Sequence, residues 1–86
     1  MSNTTAASVD LDVVREIVGE HLRGADLTNF APEQDLYAAG LTSLATVGLM
    51  LALEDRFDVE FTEAMLSRGT FRSIASIAEA VSKLAR

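Results

Sequence analysis

At 86 residues, the chain is sized for a single small domain with one modest core and no deep catalytic cleft besides. Apolar residues make up 49% and cysteine is missing, which argues against wholesale disorder and excludes disulfides, thiolate zinc sites and a cysteine nucleophile. The net charge of −6, from 13 acidic against 7 basic residues, opposes direct nucleic-acid binding and favours basic partner surfaces.

The longest apolar run, 49–53, is far short of a bilayer span, and the first residues lack a basic-then-apolar signal pattern. A soluble, cytoplasmic monomer without a membrane span is the expectation. The charges are uneven. Residues 26–63 hold eight acids and one base, Arg56, whereas 64–86 hold one acid, Glu79, and four bases, Arg68, Arg72, Lys83 and Arg86. The middle of the chain is therefore the acidic part.

In chain order, residues 1–7 are small, polar and uncharged, and read as a flexible N-terminus; 8–86 read as one domain. A first helix starts near Ser8 or Asp10, either of which can cap it. Val13, Val14, Ile17, Val18 and Leu22 share one helical stripe, leaving Arg15, Glu16, Glu20 and Arg23 toward water. Gly24 is suited to end it. His21, the sole histidine, lacks partners for catalysis or metal binding and reads as a partly exposed surface residue.

Residues 25–39 form a long connection too rich in Asp, Asn, Pro and Gln for a regular core element. Leu27, Phe30, Leu36 and Tyr37 are spaced to pin it against the bundle, and its length has a reason if it delivers the chain to the next helix start. Thr42 is a competent N-cap for a second helix reaching Phe57. Leu44, Val47 and Leu51, with Met50, Leu53 and Phe57, form adjoining apolar stripes expected to be core on more than one side. Gly48 inside this helix costs about 1 kcal/mol relative to alanine, and close packing against a neighbouring helix is the expected reason.

Residues 58–61 read as a short extended link with Val59 and Phe61 turned inward. Thr62 and Glu63 begin a short helix through Met65 and Leu66, which Gly69 ends. Thr70 introduces the last helix, with Phe71, Ile74, Ile77, Ala78, Val81 and Leu84 on one stripe. Neither repeats nor low-complexity segments occur. The expected fold is all-α: three main helices and one short one in a four-helix bundle. Leu51, Phe57 and Ile74 are expected core residues.

Conventional enzyme chemistry fails for want of parts. One histidine, no cysteine and no glycine-rich phosphate loop leave no triad, metal centre or nucleotide site. The carboxylate pairs Glu54/Asp55 and Asp10/Asp12 are one and two residues apart, spacings that on a helix do not converge on one point. What remains is Ser43, at the junction of a polar loop and the most apolar helix. There the first backbone N–H groups lack intrahelical partners and the helix dipole favours a phosphate.

The pattern around it is Asp35-Leu36-x-x-x-Gly40-Leu41-Thr42-Ser43-Leu44, then Val47, Leu49-Met50-Leu51-Ala52-Leu53-Glu54 and Phe57-Asp58-Val59-Glu60-Phe61. Across residues 35–81 this resembles the acyl carrier protein family. The resemblance implies that Ser43 is esterified with phosphopantetheine from coenzyme A by a separate phosphopantetheinyl transferase. It further implies a discrete carrier, not an enzyme, holding an acyl or aminoacyl group as a thioester for loading ligases or synthases. Thr42, Leu44, Val47, Gly48, Glu54 and Asp55 are the docking positions it suggests.

Two departures stand out. The family's usual aspartate before the serine is Thr42 here, which removes one anionic contact for the transferase. The acidic residues that fatty-acid carriers place just after the serine are Ala45, Thr46 and Gly48 here. Both departures point to a specialised carrier with dedicated partners: one charged with amino acids by an adenylating ligase, or one for polyketide or unusual lipid synthesis. The alternative from another class is an unmodified helical interaction module with a carrier-like fold, which would have no use for Ser43.

Overall fold

A computed structural model describes residues 9–22 and 27–85. Three helices, α1 (Leu11–Glu20), α2 (Ser43–Phe57) and α3 (Ile74–Leu84), are joined by long connections, with one 3-10 turn at Glu63–Met65. There is no strand among the described residues. Helix α1 packs against both α2 and α3.

Each helix begins where its sequence offers an oxygen to an orphan N–H. Asp10 caps α1, its Oδ1 accepting from Asp12 N at 2.9 Å. The expectations at Ser8 and at Gly24 lie outside the described residues. Helix α3 starts later than expected. Its cap is Ser73, not Thr70, because Ser73 and Ser76 form a reciprocal capping box and Ser76 Oγ donates to Thr70 O at 2.9 Å. Phe71, expected inside the helix, is instead buried ahead of it against Phe61, ring centroids 5.4 Å apart. The short third helix is a single 3-10 turn that stops before Leu66, and Thr62 makes no side-chain capping bond there.

The core is the convergence of Val14, Ile17, Val18 and Leu22 with Leu49, Leu53, Phe61, Phe71, Ile74, Ile77 and Val81. The α1 stripe and the α3 stripe both fall where periodicity places them. The loop anchors are drawn in as expected, Leu27 and Leu36 buried and Phe30 and Tyr37 packed partly against the core, and Leu41 is buried as well. This connection is stitched down by Leu36 N donating to Arg72 O (2.7 Å), Ala75 N to Pro32 O (2.8 Å) and Leu41 N to Leu36 O (3.0 Å). Arg15, expected to face water, is half-buried: it donates to Asp12 Oδ1 and to Phe30 O, each at 3.0 Å. Its guanidinium thus ties the loop over α1, a tertiary role that helical periodicity cannot register.

Helix α2 departs most from expectation. Leu49 and Leu53 are its fully buried residues, whereas Leu51 is 55% exposed, Val47 53% and Leu44 84%. The stripe carrying Leu44, Val47 and Leu51 points to solvent, and the expectation that it is core is wrong. Its apolar residues surround most of the helix, so periodicity alone cannot choose the buried side. Met50 and Phe57 are intermediate.

Candidate functional site

The junction at 40–44 is built from backbone outward. Gly40 has φ of 117°, a conformation that side-chain-bearing residues rarely adopt. The turn it permits lets Leu41 plunge into the core at 4% exposure. With Leu41 anchored, Thr42 caps α2: its Oγ1 accepts from Ala45 N at 3.0 Å, and its carbonyl accepts from Thr46 N (2.9 Å) and Thr46 Oγ1 (2.8 Å). Ser43 is the first residue of the helix and is exposed. The threonine that replaces an aspartate thus keeps the capping function while omitting the charge.

This geometry suits an attached phosphate ester. Among the described residues, the N–H groups of Ser43 and Leu44 have no intramolecular acceptor. They lie at the positive end of a 15-residue helix, where an anion is stabilised. The hydroxyl belongs to an exposed residue, and its neighbour Leu44 is 84% exposed.

Beside Ser43 lies a cavity of about 350 Å³ between α2 and the segment before α3. Thr46, Val47 and Met50 form one wall; Leu66, Phe71, Tyr37 and Arg68 form the other. The Arg68 guanidinium sits 3.9 Å over the centre of the Tyr37 ring, a cation–π arrangement. Sequence reading treated Tyr37 only as a loop anchor and gave Arg68 no role. The available signal was the position of Arg68 in the basic C-terminal part, but only folding brings it to the acidic segment's serine.

The expected docking positions divide. Thr42, Leu44 and Val47 are exposed around Ser43, and Asp55 is exposed near the far end of α2. Gly48 is half-buried: a Cβ there would lie 3.3 Å from His21 Cδ2. The expected close packing is thus against the His21 side chain at the C-cap of α1, not against a helix backbone. His21 is half-buried with Nδ1 3.0 Å from Ile17 O, a structural placement at the end of α1. Glu54 turns one carboxylate oxygen back to accept from Phe61 N at 2.9 Å, holding the 58–61 link. Leu66, 49% exposed, joins the apolar surface without having been singled out by sequence. No cluster of metal-ligating side chains occurs among the described residues, and no helix there is long and apolar enough to cross a membrane.

A family model described as a phosphopantetheine attachment site matches residues 12–81. An aminoacyl carrier protein of Agrobacterium fabrum is 53% identical over 51 residues, 59% of this chain and 61% of that protein, so the match spans less than two thirds of the relative's length. Aminoacyl carrier protein 1 of Bradyrhizobium diazoefficiens is 29% identical over 75 residues, 87% of this chain and 80% of that protein.

The fold is shared with a chain in the crystal structure of an engineered Bradyrhizobium japonicum glycine:[carrier protein] ligase complexed with ATP and the carrier protein from Agrobacterium tumefaciens. There the TM-score is 0.80 at 40% identity, covering 86% of this chain and 97% of that one. A structure of the Bradyrhizobium japonicum ligase with glycylated carrier protein matches with TM-score 0.68 at 25% identity, covering 78% and 90%. The family model spans most of the chain, including Ser43, and the fold agrees with it. The chain therefore belongs to the phosphopantetheine-attachment family, in which the cofactor is covalently bound phosphopantetheine.

Proposed function

We propose that Ser43 bears the phosphopantetheine arm and that the chain is a carrier for aminoacyl groups, loaded by an ATP-dependent ligase. The observation that carries this is the position of Ser43: an exposed hydroxyl at the first turn of α2, inside the matched region and beside an apolar cavity. In the loading step, Ser43 Oγ forms a phosphodiester with the pantetheine phosphate of coenzyme A. The pyrophosphate bond breaks, the adenosine bisphosphate leaves, and the hydroxyl proton passes to the transferase. The arm supplies a terminal thiol that holds the cargo as a thioester. This chain's own residues position that arm: Leu41 anchors the turn, Thr42 caps the helix, and the Ser43 and Leu44 N–H groups face the ester.

The likeness to aminoacyl carrier proteins supports amino acids as cargo, and the absence of acids just after Ser43 supports partners other than those of fatty-acid synthesis. The exposed Leu44, Val47 and Leu51 serve as the contact surface for the ligase, with Thr42 and Asp55 at its edges. Gly48 and Glu54 act indirectly, by packing on His21 and by holding the Phe61 link. The carrier is a monomer of the cytoplasm, where coenzyme A and ATP are at hand, and partner enzymes do the chemistry.

Intact-mass measurement tests the reading. After incubation with coenzyme A and a promiscuous phosphopantetheinyl transferase, the wild type should gain one phosphopantetheine and Ser43→Ala none. The modified protein, given ATP, glycine and a glycine:[carrier protein] ligase, should then gain a hydroxylamine-labile glycyl group. If Ser43→Ala gains the same arm, or the wild type gains none, the reading is wrong. If the arm attaches and only acyl synthases load it, the aminoacyl assignment alone falls.

A further inference from the structure

The cavity beside Ser43 has an asymmetry of charge. Its α2 wall is uncharged, contributed by Ser43, Thr46, Val47 and Met50, and Leu66, Ser67 and Phe71 opposite are uncharged too. Arg68 is the single ionic side chain lining it. Asp35 lines, with Arg68, a separate recess that Tyr37 also borders. Asp35 is already engaged there: Oδ1 accepts from Tyr37 N at 2.9 Å, and Oδ2 lies 3.9 Å from Arg72 Nε. The cavity is therefore lined by one cation, the exposed Arg68, and by no carboxylate.

We infer that the Arg68–Tyr37 wall makes this cavity a charge filter, admitting the neutral arm or a neutral acyl group and expelling the ammonium of an aminoacyl thioester. This rests on the carrier reading above and adds a specificity-determining residue to it. The volume, about 350 Å³, is at the scale of small-ligand pockets. It can take a short acyl group together with the end of the arm. An ammonium entering would give up water for an apolar lining and meet a like charge across a small space, both unfavourable. The Arg68 guanidinium stacks on Tyr37, 3.9 Å from the ring centre, and both residues line the cavity. An aminoacyl end thus stays in solvent, presented to the next enzyme, while an uncharged group of the same size is drawn in.

The experiment compares cargoes of one shape and different charge. Coenzyme A analogues bearing glycyl or propionyl through a stable amide would be loaded onto Ser43 by a promiscuous transferase, with attachment verified by intact mass. NMR then reads the Met50 methyl and the Val47, Thr46 and Phe71 amides. Propionyl should shift these resonances relative to the unacylated holo form, and glycyl should not. The difference in cavity occupancy should be about tenfold or more for two like charges at intermediate dielectric.

Raising the pH through the α-amino pKa, about 8, neutralises the glycyl ammonium. The glycyl form should then acquire the propionyl pattern, with no substitution made. Arg68→Leu should admit the glycyl group at neutral pH, and Arg68→Lys should still exclude it. Equal shifts for the two cargoes at neutral pH, no shift for propionyl, or exclusion that survives either high pH or Arg68→Leu would each overturn the inference while leaving the carrier reading intact. Failure of the arm to attach at Ser43 would overturn the carrier reading itself, and the filter with it.

Discussion

Two leucines on α2, two residues apart, provide the sharpest stability test. Leu53 is fully buried and Leu51 is 55% exposed. For Leu53→Ala, the lost transfer energy adds to a cavity that the packed core around it cannot fully close, giving a cost of about 2–5 kcal/mol. For Leu51→Ala, less than half the side chain leaves a hydrophobic environment and no enclosed cavity forms. Full burial of a leucine is worth about 1.5–3 kcal/mol, so the expected cost is about 1 kcal/mol, reduced further by alanine's higher helix propensity.

In a domain this small, each kcal/mol moves Tm by about 4–8 °C. Leu53→Ala should therefore lower Tm by at least about 10 °C, and Leu51→Ala by only a few degrees. Thermal unfolding followed by circular dichroism reads both. Leu51→Ala should instead raise the KM for loading by a glycine:[carrier protein] ligase, because it removes surface and not core. Equal loss of stability in the two variants would mean that α2 is rotated about its axis relative to the description here, and the docking surface with it.

Other outcomes follow from the junction. Thr42→Ala removes the acceptor for Ala45 N and should cost about 1 kcal/mol, while Thr42→Ser should retain most of it; chemical denaturation distinguishes them. Gly40→Ala puts a Cβ on a residue at φ of 117° and should cost about 1–3 kcal/mol. Because that strain sits three residues from Ser43, the rate of phosphopantetheine transfer should fall as well. Ser43→Ala should leave the unfolding free energy within about 0.5 kcal/mol of wild type, as an exposed substitution does, while abolishing the mass gain. Glu54→Ala frees Phe61 N and should destabilise by about 1 kcal/mol, with Glu54→Gln milder.

Local chemistry made several features readable in advance. Asp10 and Thr42 cap helices because a short polar side chain before an apolar run has a backbone N–H within reach, whatever the rest of the fold does. The stripes of α1 and α3 were legible because their polar residues mark the outer face. The connection 25–39 showed its anchors because Leu27 and Leu36 are isolated apolar residues in polar surroundings. Ser73 as the start of α3 was hidden because Thr70 is an equally good cap by sequence. What favours Ser73 is its reciprocal capping box with Ser76, together with Phe71's burial against Phe61 ahead of the helix.

The sequence by itself determined the helical class and the helix starts, at Ser8 or Asp10 and at Thr42, since these depend on interactions within a few residues, and its pattern over 35–81 singled out Ser43. Tertiary structure alone decided three other things. It chose which side of α2 is buried, because a helix apolar on most sides is oriented only by its neighbours. It turned Arg15 inward onto Phe30 O and seated His21 against Gly48, since both contacts join segments far apart in sequence. And it carried Arg68 from the basic end of the chain to the cavity beside Ser43, where a guanidinium over the Tyr37 ring gives that cavity its charge.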